Sequence, residues 1–159
     1  MEKIWAPWRK EYINLRKKGK SKHCIFCIGK KGKISDKKNH ILKRNKYAFS
    51  VLNRYPYNNA HVMVAPYRHV KSMELLNEEE LLGLLNLVNY TKKKIDKFFK
   101  PAGYNIGLNI GKVAGAGFAG HVHIHIIPRW QGDTNFMPVI SDTKIVSYSL
   151  DEMHDLLEG

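Results

Sequence analysis

The sequence predicts an α+β fold in which one long helix covers an antiparallel sheet. Three observations predict it. Residues 81–99 carry apolar side chains at helical spacing, up to Pro101. Four shorter segments have the composition and alternation of strands. The chain has 159 residues, of which 43% are hydrophobic, and this is enough for the core of a single domain over residues 1–159.

The first half of the chain contains a predicted short helix, a loop and a hairpin. Pro7 suits the first turn of a helix that ends at the Lys-rich stretch 17–20. Residues 29–39 are rich in Lys and Gly and predict a loop. Two strands, 47–51 and 61–65, are joined by an Asn- and Pro-containing turn, so we expect a hairpin with a long connection.

The long helix is bounded by clear signals at both ends. Asn77 predicts its N-cap, Glu80 supplies an acidic third residue, and Pro101 ends the helical spacing. Residues 104–110 then alternate as a strand, and a Gly-rich flexible segment follows at 111–120.

The chain closes with one more strand and a short helix. Residues 121–128 alternate histidine with apolar residues and predict the strand. Ser149 and Glu152 have the spacing of a capping box, which opens a short terminal helix. The whole is an antiparallel sheet with one long covering helix and short terminal helices.

The chain is basic, with 27 Lys and Arg against 14 Asp and Glu. The excess lies within residues 1–46, which hold 16 basic and 3 acidic residues. Lys outnumbers Arg by 21 to 6, which weakens the case for phosphate-binding forks, because Arg supplies the planar bidentate group. We favour a solvated surface over a polyanion platform, although the charge raises the encounter rate with any phosphorylated ligand.

The sequence predicts a cytoplasmic protein without a membrane partner. No apolar run approaches the roughly 18 to 20 residues of a bilayer span, and the amino terminus lacks the apolar stretch of a signal peptide. The two cysteines, Cys24 and Cys27, have C-x-x-C spacing, which in a reducing compartment indicates half a metal site or a redox pair. The partners of these cysteines must come from elsewhere in the chain.

Three histidines alternate with apolar residues in the last predicted strand. Because successive side chains of a strand point to opposite faces, His121, His123 and His125 share one face, and the apolar residues between them pack against the core. Three of the eight histidines lie within five positions, behind a Gly-rich loop. This concentration indicates a functional site.

Two kinds of chemistry fit these histidines. One is metal binding, but Cβ atoms at i and i+4 of a strand are roughly 13 Å apart, so one ion is not expected to bind all three. A catalytic zinc held by His121 and His123 remains a hypothesis. The other is nucleophilic catalysis, in which a neutral imidazole attacks phosphorus and a protonated neighbour serves the leaving oxygen. Backbone N–H groups of the Gly-rich loop are then expected to approach phosphate oxygens.

The segment Gly120–Pro128 resembles the signature of the histidine triad (HIT) family of nucleotide hydrolases and transferases. The likeness extends over most of the chain and includes the bacterial branch related to diadenosine tetraphosphate phosphorylases. It rests on further segments: Trp5–Arg9, Cys24–Cys27, Asn53–His69, Asn105–Asn109 and Gly132–Phe136. The resemblance implies a HIT-like fold and a homodimer whose subunits each keep their own site.

The resemblance also implies roles for individual residues. His123 matches the nucleophile that becomes covalently nucleotidylated, and His125 matches the residue that contacts the attacked phosphate and assists the leaving group. His61 matches a supporting histidine. The expected substrate-binding residues, besides His125, are Asn53, Asn109, Gly115 and Gly117.

A structural zinc ion follows from the same resemblance. Members of the superfamily with a similar C-x-x-C complete the site with a histidine of a Pro-x-x-His segment and with the first triad histidine. These positions are His69 and His121, which join Cys24 and Cys27 as the expected ligands. His23 and His40 are alternative ligands by proximity. No organic cofactor is expected.

Within the single domain we expect three parts. Residues 1–46 form a basic arm with the C-x-x-C pair, residues 47–139 the catalytic core, and residues 140–159 a carboxy-terminal strand and helix. The predicted substrate is a nucleotide or dinucleoside polyphosphate such as diadenosine tetraphosphate, and nucleic acid is not the expected partner.

The acceptor in the second step is left open between phosphate and water. Many hydrolases of the family have Gln or Ser shortly before the triad, whereas residues 114–120 offer only Ala, Gly and Phe side chains. Two other functions remain as alternatives. One is a HINT-like hydrolase of nucleoside phosphoramidates or adenylyl conjugates. The other is a zinc-stabilised basic module that binds nucleic acid.

Overall fold

The computed structural model describes residues 24–30, 36–133 and 147–158. Their main feature is a five-stranded antiparallel sheet of order β1-β2-β3-β5-β4, with a long helix α1 and a short helix α2. The strands are β1 Ile41–Arg44, β2 Ala48–Leu52, β3 Val62–Pro66, β4 Gly103–Gly107 and β5 Ile124–Arg129, and the helices are α1 Glu78–Phe99 and α2 Leu150–Glu158. The predicted fold class is confirmed.

The predicted hairpin is formed by β2 and β3, whose five residue pairs run from Ala48 with Pro66 to Leu52 with Val62. The sequence did not predict β1, which pairs with the other edge of β2 through an irregular register. Its four residues, Ile-Leu-Lys-Arg, are too few for a clear alternation. The sheet therefore begins before the predicted hairpin.

Helix α1 begins and ends where the sequence predicts. The Asn77 side chain accepts from the Glu80 N–H, and the Glu80 carboxylate accepts from the Asn77 N–H, which completes the capping box. Lys100 adopts the left-handed conformation just before Pro101. Gly83 brings the helix close to Tyr47, since a Cβ at this position would lie 2.7 Å from the Cδ2 atom of the ring.

The two faces of the sheet carry different clusters. On the helix face, alternate residues of the strands pack under α1 and α2, including Ala48, Val64 and Ile126. On the opposite face, Phe49 and Met63 belong to a smaller cluster around Phe26 and Ile41. The smaller cluster positions the site described below. We call its side of the sheet the histidine face.

Helix α2 opens with the predicted capping box. The Ser149 backbone N–H and hydroxyl donate to the Glu152 carboxylate, and the Glu152 N–H lies 3.2 Å from the Ser149 hydroxyl. The predicted amino-terminal helix lies outside the described residues, and so does most of the segment before α2 in which the carboxy-terminal strand of residues 140–159 is expected. Within those residues, no helix combines the length and apolar character needed to cross a bilayer.

Candidate active site

The alternating histidines lie where β5 enters the sheet. His125 belongs to β5, whereas His121 and His123 precede its first residue. Val122, Ile124 and Ile126 are buried in the cluster on the helix face, so the histidine rings lie on the other side. The rings of His123 and His125 are 4.9 Å apart between centroids.

Within the described residues, His123 has a hydrogen-bond partner on only one of its two ring nitrogens. Its ring is buried, with 6% of the residue exposed. Its Nδ1 lies 2.9 Å from the carbonyl oxygen of His121. Because a carbonyl only accepts, Nδ1 carries the hydrogen, and in the neutral ring Nε2 therefore keeps its lone pair. Burial lowers the pKa of His123, so the ring is neutral at neutral pH and its Nε2 can act as a nucleophile.

A chain of hydrogen bonds fixes the opposite tautomer in His125. The backbone N–H of Tyr57 donates to His61 Nδ1 at 3.1 Å, so His61 carries its hydrogen on Nε2. That Nε2 lies 2.9 Å from His125 Nδ1 and donates to it. His125 is then left with an N–H on Nε2. The site therefore combines a lone pair on His123 with a ring hydrogen on His125.

The two supporting histidines are neutral. Burial, followed by the nearby charges of His125 and His123, lowers the pKa of His61 to about 3. Burial and His123 lower the pKa of His125 to about 4. This differs from the expected imidazolium donor, because three imidazoles share one buried space and disfavour each other's charge. His125 offers a neutral N–H, and the negative charge of a bound phosphate would raise its pKa.

Asn53 contacts His61. Its Nδ2 is 3.3 Å from His61 Nδ1, and its Oδ1 accepts the backbone N–H of Tyr55 at 2.9 Å. The backbone N–H of Asn53 also donates to the His61 carbonyl at 2.9 Å. The structure thus places this predicted substrate-binding residue next to His61, the histidine that donates a hydrogen bond to His125.

The Gly-rich loop departs in part from expectation. Gly115 has a φ of +88°, and a Cβ there would lie 3.7 Å from the side-chain nitrogen of Asn109, so these two predicted residues are neighbours. The Gly115 N–H, however, donates to the Lys112 carbonyl and closes a turn. Gly117 retains an N–H with no hydrogen-bond acceptor among the described residues.

The four predicted metal ligands converge. One ligand atom from each of Cys24, Cys27, His69 and His121 lies within 4.8 Å of all the others. In a tetrahedral site with bonds of 2.0 to 2.3 Å, the ligand atoms are about 3.3 to 3.8 Å apart. Cys24 Sγ to His121 Nδ1 is 3.3 Å, and Cys27 Sγ to His69 Nδ1 is 3.5 Å. Small movements therefore suffice for the cluster to hold zinc.

Hydrogen bonding prepares His121 as a ligand. Its Nε2 donates to the carbonyl oxygen of Pro66 at 2.9 Å, which leaves the lone pair on the Nδ1 that faces Cys24. Burial raises the pKa of the Cys24 thiol. His123 is not a member of this cluster. The hypothesis of a zinc held by His121 and His123 therefore has no geometric support in the described residues.

Of the two alternative metal ligands, His40 is described by the structure, and it does not lie at the cysteines. His40 packs instead against His154 of α2, with ring centroids 6.1 Å apart, and its Nδ1 lies 3.7 Å from the Asp151 carboxylate. His23 lies outside the described residues.

Two aromatic residues of the site were not predicted from the sequence. Phe26, between the two cysteines, stacks on His123 with ring centroids 4.4 Å apart and an interplanar angle of 30°. Tyr57 lies beside His61, with centroids 4.9 Å apart. The only signal in the sequence was their place inside motifs already noted, the C-x-x-C pair and the turn after Asn53.

Comparisons with known proteins agree with this geometry. The family model described as the HIT domain matches residues 35–132. The AP-4-A phosphorylase of Mycobacterium tuberculosis is 34% identical over 161 aligned residues, which cover 99% of this chain and 83% of the relative. The adenosine 5'-monophosphoramidase of Schizosaccharomyces pombe is 36% identical over 106 residues, which cover 67% of this chain and 74% of the relative.

A solved structure gives the same result. The crystal structure of a histidine triad nucleotide-binding protein from Sulfolobus tokodaii superimposes with a TM-score of 0.64 and 26% sequence identity, over 85% of this chain and 87% of that one. The sequence match spans more than half of the chain, and its phosphorylase relative matches it nearly end to end. The chain therefore belongs to the HIT domain family, and it is an enzyme of that family, a nucleotide phosphorylase or hydrolase.

Proposed function

We propose that this enzyme cleaves dinucleoside polyphosphates such as diadenosine tetraphosphate through a covalent nucleotide adduct on His123. The observation that carries the proposal is the bond from His123 Nδ1 to the His121 carbonyl, because it leaves Nε2 unprotonated in a neutral ring. The similarity to the AP-4-A phosphorylase supports the substrate class.

In the first step, the lone pair of His123 Nε2 attacks a phosphorus atom of the substrate. A P–N bond forms as the P–O bond to the departing nucleotide breaks, and the electron pair of the broken bond stays on that oxygen. His125 Nε2–H donates to this oxygen as its charge develops, while His61 and Tyr57 hold the His125 ring in the required tautomer. The departing nucleotide leaves as an anion whose new negative charge is stabilised by this hydrogen bond, and the hydrogen stays on His125 Nε2.

In the second step, an acceptor attacks the same phosphorus and releases His123. Inorganic phosphate as acceptor gives a phosphorylase, and water gives a hydrolase. Residues 114–120 have only Ala, Gly and Phe side chains, which offer no group to activate water. Together with the similarity to the phosphorylase, this favours phosphate.

A second candidate activity is the hydrolysis of nucleoside phosphoramidates or other adenylyl conjugates. It uses the same attack by His123 with an amine as leaving group, which must gain a proton; His125 can supply that proton once the charge of the bound phosphate favours its imidazolium form. The similarity to the adenosine 5'-monophosphoramidase favours this alternative. Both classes of substrate would be cleaved by the same mechanism, so the rates of their turnover decide which one the enzyme prefers.

We also propose that the Cys24, Cys27, His69 and His121 cluster holds a structural zinc ion. The donor set is the Cys₂His₂ type of closed sites, which leave no open position for substrate. The ion would tie the short 3-10 helix Ile25–Lys30 to the start of β5 and so hold Phe26 against His123. Its contribution is to stability and positioning.

A homodimer is the expected assembly, and the edge strand β4 favours it. β4 pairs only with β5 among the described strands, and Ile106 on it is 46% exposed. Helix α1 adds the exposed Leu82 and Leu85. An edge strand with one neighbour among the described strands is suited to pairing with a second copy, and the exposed leucines of α1 add apolar surface that a partner could cover.

Product identification tests the proposed activity. The protein is incubated with diadenosine tetraphosphate, with and without inorganic phosphate, and the nucleotides are separated by chromatography. ATP plus ADP that appear only with phosphate are expected from a phosphorylase. AMP plus ATP, or two ADP, would indicate hydrolysis. Adenosine 5'-monophosphoramidate in a parallel reaction measures the alternative, and no turnover of either substrate would contradict both.

A further inference from the structure

The hydrogen bond between His61 and His125 has two possible directions, and only one of them serves the proposed reaction. Both rings are neutral, so each carries one hydrogen on one of its two nitrogens. If His61 Nε2 donates to His125 Nδ1, across 2.9 Å, His125 keeps an N–H on Nε2. If His125 Nδ1 donates instead, its Nε2 carries a lone pair and cannot stabilise a leaving oxygen. The direction of this one bond therefore decides whether His125 is a donor.

The backbone N–H of Tyr57 selects the direction. It lies 3.1 Å from His61 Nδ1. In the reversed arrangement His61 would carry its hydrogen on Nδ1, so two donors would face each other. The Asn53 amide does not replace this contact, because its Nδ2 is 3.3 Å from Nδ1 and 3.4 Å from Nε2 and so lies along the lone pair of neither. The tautomers of both histidines thus depend on where the β2–β3 turn, residues 53–61, holds one N–H group.

Asn58 joins this turn to the carboxyl end of β5. The residue is 5% exposed, and its Nδ2 donates to the Pro128 carbonyl at 3.0 Å and to the Asp133 carboxylate at 2.8 Å. Both partners only accept, so both amide hydrogens are used and the orientation of the amide is fixed. The pairing of β3 with β5 ends at Val62 with Ile126. Asn58 therefore binds β5 beyond the last residue pair, where its side chain takes the place of a neighbouring strand.

The carboxylate that Asn58 binds is itself firmly held. The Asp133 side chain is 7% exposed and accepts from Arg129 Nε at 2.7 Å and from Arg129 Nη2 at 2.8 Å. Arg129 Nη1 donates to Asn105 Oδ1 of β4 at 2.9 Å. Charge-assisted bonds of this two-pronged kind are strong and directional, so Asp133 is a fixed anchor for the turn. Asn105 and Asp133 lie in two of the segments on which the family resemblance rests.

We propose that Asn58 is a positioning residue of the proposed reaction. It lies one residue after Tyr57 and three before His61, and its bonds to β5 keep the Tyr57 N–H in line with His61 Nδ1. Through that contact Asn58 fixes the hydrogen on His125 Nε2. The effect on catalysis rests on the proposed function, but the tautomers are a property of the protein whether or not it cleaves a dinucleotide.

Long-range ¹H–¹⁵N NMR of the histidine rings measures the tautomers in the whole protein without substrate. In the natural protein, His61 and His125 are expected to carry their hydrogens on Nε2. Asn58→Ala should shift a large fraction of both rings to the reversed arrangement, with the hydrogens on Nδ1. Natural protein with both hydrogens on Nδ1 would overturn the proposal at once.

Two controls separate this effect from a general disturbance of the site. His123 should keep its Nδ1 hydrogen in Asn58→Ala, because its acceptor is the His121 carbonyl. Asn59→Ala is the matched variant, since Asn59 lies in the same turn but its Oδ1 accepts the Ser147 N–H at 3.1 Å. It breaks a bond to the segment before α2 rather than to β5, so the tautomers should stay as in the natural protein.

Kinetics connect the tautomers to the reaction. With diadenosine tetraphosphate and phosphate, kcat of Asn58→Ala should fall about tenfold or more while KM changes less than about twofold, because the hydrogen bond to the leaving oxygen acts in the transition state. Asn59→Ala should keep the natural kcat. Changed tautomers with an unchanged kcat would overturn the role of Asn58 in the reaction. If the natural protein does not cleave the dinucleotide, the proposed function fails, and the NMR result still decides whether Asn58 sets the tautomers.

Asp133→Ala is the second variant, to be used if Asn58→Ala does not fold. It removes one of the two acceptors of Asn58 and leaves the Pro128 carbonyl, so the same change of tautomer is expected in a smaller fraction of the molecules. The proposal is overturned if a folded Asn58→Ala protein, or a folded Asp133→Ala protein in its place, keeps both histidine tautomers of the natural protein.

Discussion

The ring of Phe26 stacks on the imidazole of His123, with centroids 4.4 Å apart and an interplanar angle of 30°. Phe26 lies between Cys24 and Cys27 in the sequence, and it is only 2% exposed. The same ring also lies 5.5 Å from His121, a member of that cluster. The C-x-x-C segment therefore contacts the proposed nucleophile directly, and the Cys–His cluster adjoins the candidate active site.

Removing this stack should slow catalysis without removing the nucleophile. Phe26→Ala deletes the ring that holds His123, so we expect kcat for the preferred substrate to fall about 10- to 100-fold, because misplaced reacting groups lose rate steeply. Phe26→Leu, which fills more of the space, should recover part of the rate. Ile25→Ala is the matched control, because Ile25 is adjacent to Phe26 in the sequence but is 51% exposed. Equal kcat in Phe26→Ala and the natural protein would contradict the positioning role.

Zinc removal should act on stability first. If the four-residue cluster holds a structural ion, the purified protein should contain one zinc per chain by mass spectrometry, and Cys24→Ser should reduce that content. Chelation should lower the melting temperature by several degrees, because ligands that bind only the folded state stabilise it. Activity should fall in step with unfolding. Loss of turnover in a chelated protein whose melting temperature is unchanged would indicate a catalytic metal instead.

The stability of the protein should decrease in acid through His61. Its pKa is about 3 in the folded protein, against roughly 6.5 in the unfolded chain, so the unfolded state binds a proton that the folded state excludes. Above pH 6.5 the histidine is neutral in both states and costs the folded state nothing. As the pH falls from 6.5 towards 3, protonation of the unfolded chain progressively lowers the free energy of unfolding. At pH 4.5 this histidine alone should lower the free energy of unfolding by about 2 to 3 kcal/mol.

Urea denaturation at pH 7 and pH 4.5 measures this effect. The comparison is with His61→Gln, which cannot titrate, so the drop between the two pH values should be about 2 kcal/mol smaller in the variant. Groups that titrate in both proteins contribute equally to both drops, so the difference between the two drops is the contribution of His61. An identical drop would show that His61 is not buried in its neutral form.

Gly83 should be required for the approach of α1 to Tyr47. Alanine has the better helix propensity by about 1 kcal/mol, but its Cβ would lie 2.7 Å from the ring Cδ2 and close to two further atoms of Tyr47. We expect the clash to dominate, and Gly83→Ala to lower the free energy of unfolding by about 1 to 2 kcal/mol. Asn89→Ala, on the exposed side of the same helix, should be neutral or stabilising. Greater stability of Gly83→Ala would show that the ring moves away freely.

Strong local patterns made much of the fold predictable. The boundaries of α1 followed from Asn77, Glu80 and Pro101, because capping groups and proline act over a few residues. The β2–β3 hairpin and the burial of Val122 and Ile124 followed from alternation. β1 was not predicted, since a four-residue strand is recognised only by the partner with which it pairs.

The sequence was enough to predict which residues form the candidate site, but not the tautomer of each histidine ring. The spacing of the histidines placed His123 and His125 on one face, and the resemblance to a known family grouped the four metal ligands. Which ring nitrogen carries the hydrogen depends on contacts from distant segments, such as the Tyr57 N–H on His61 and the Pro66 carbonyl on His121. The stacking of Phe26 likewise depends on how the C-x-x-C segment folds against β5.

Rapid-quench mass spectrometry tests the central claim most directly. The protein is mixed with diadenosine tetraphosphate, stopped within milliseconds under alkaline conditions that preserve phosphoramidates, digested and mapped. The predicted result is a nucleotide adduct on His123 that forms and decays during turnover, and that is absent from a folded, inactive His123→Ala variant. Full turnover in that variant, or turnover of the natural protein with no adduct on His123, would contradict the claim.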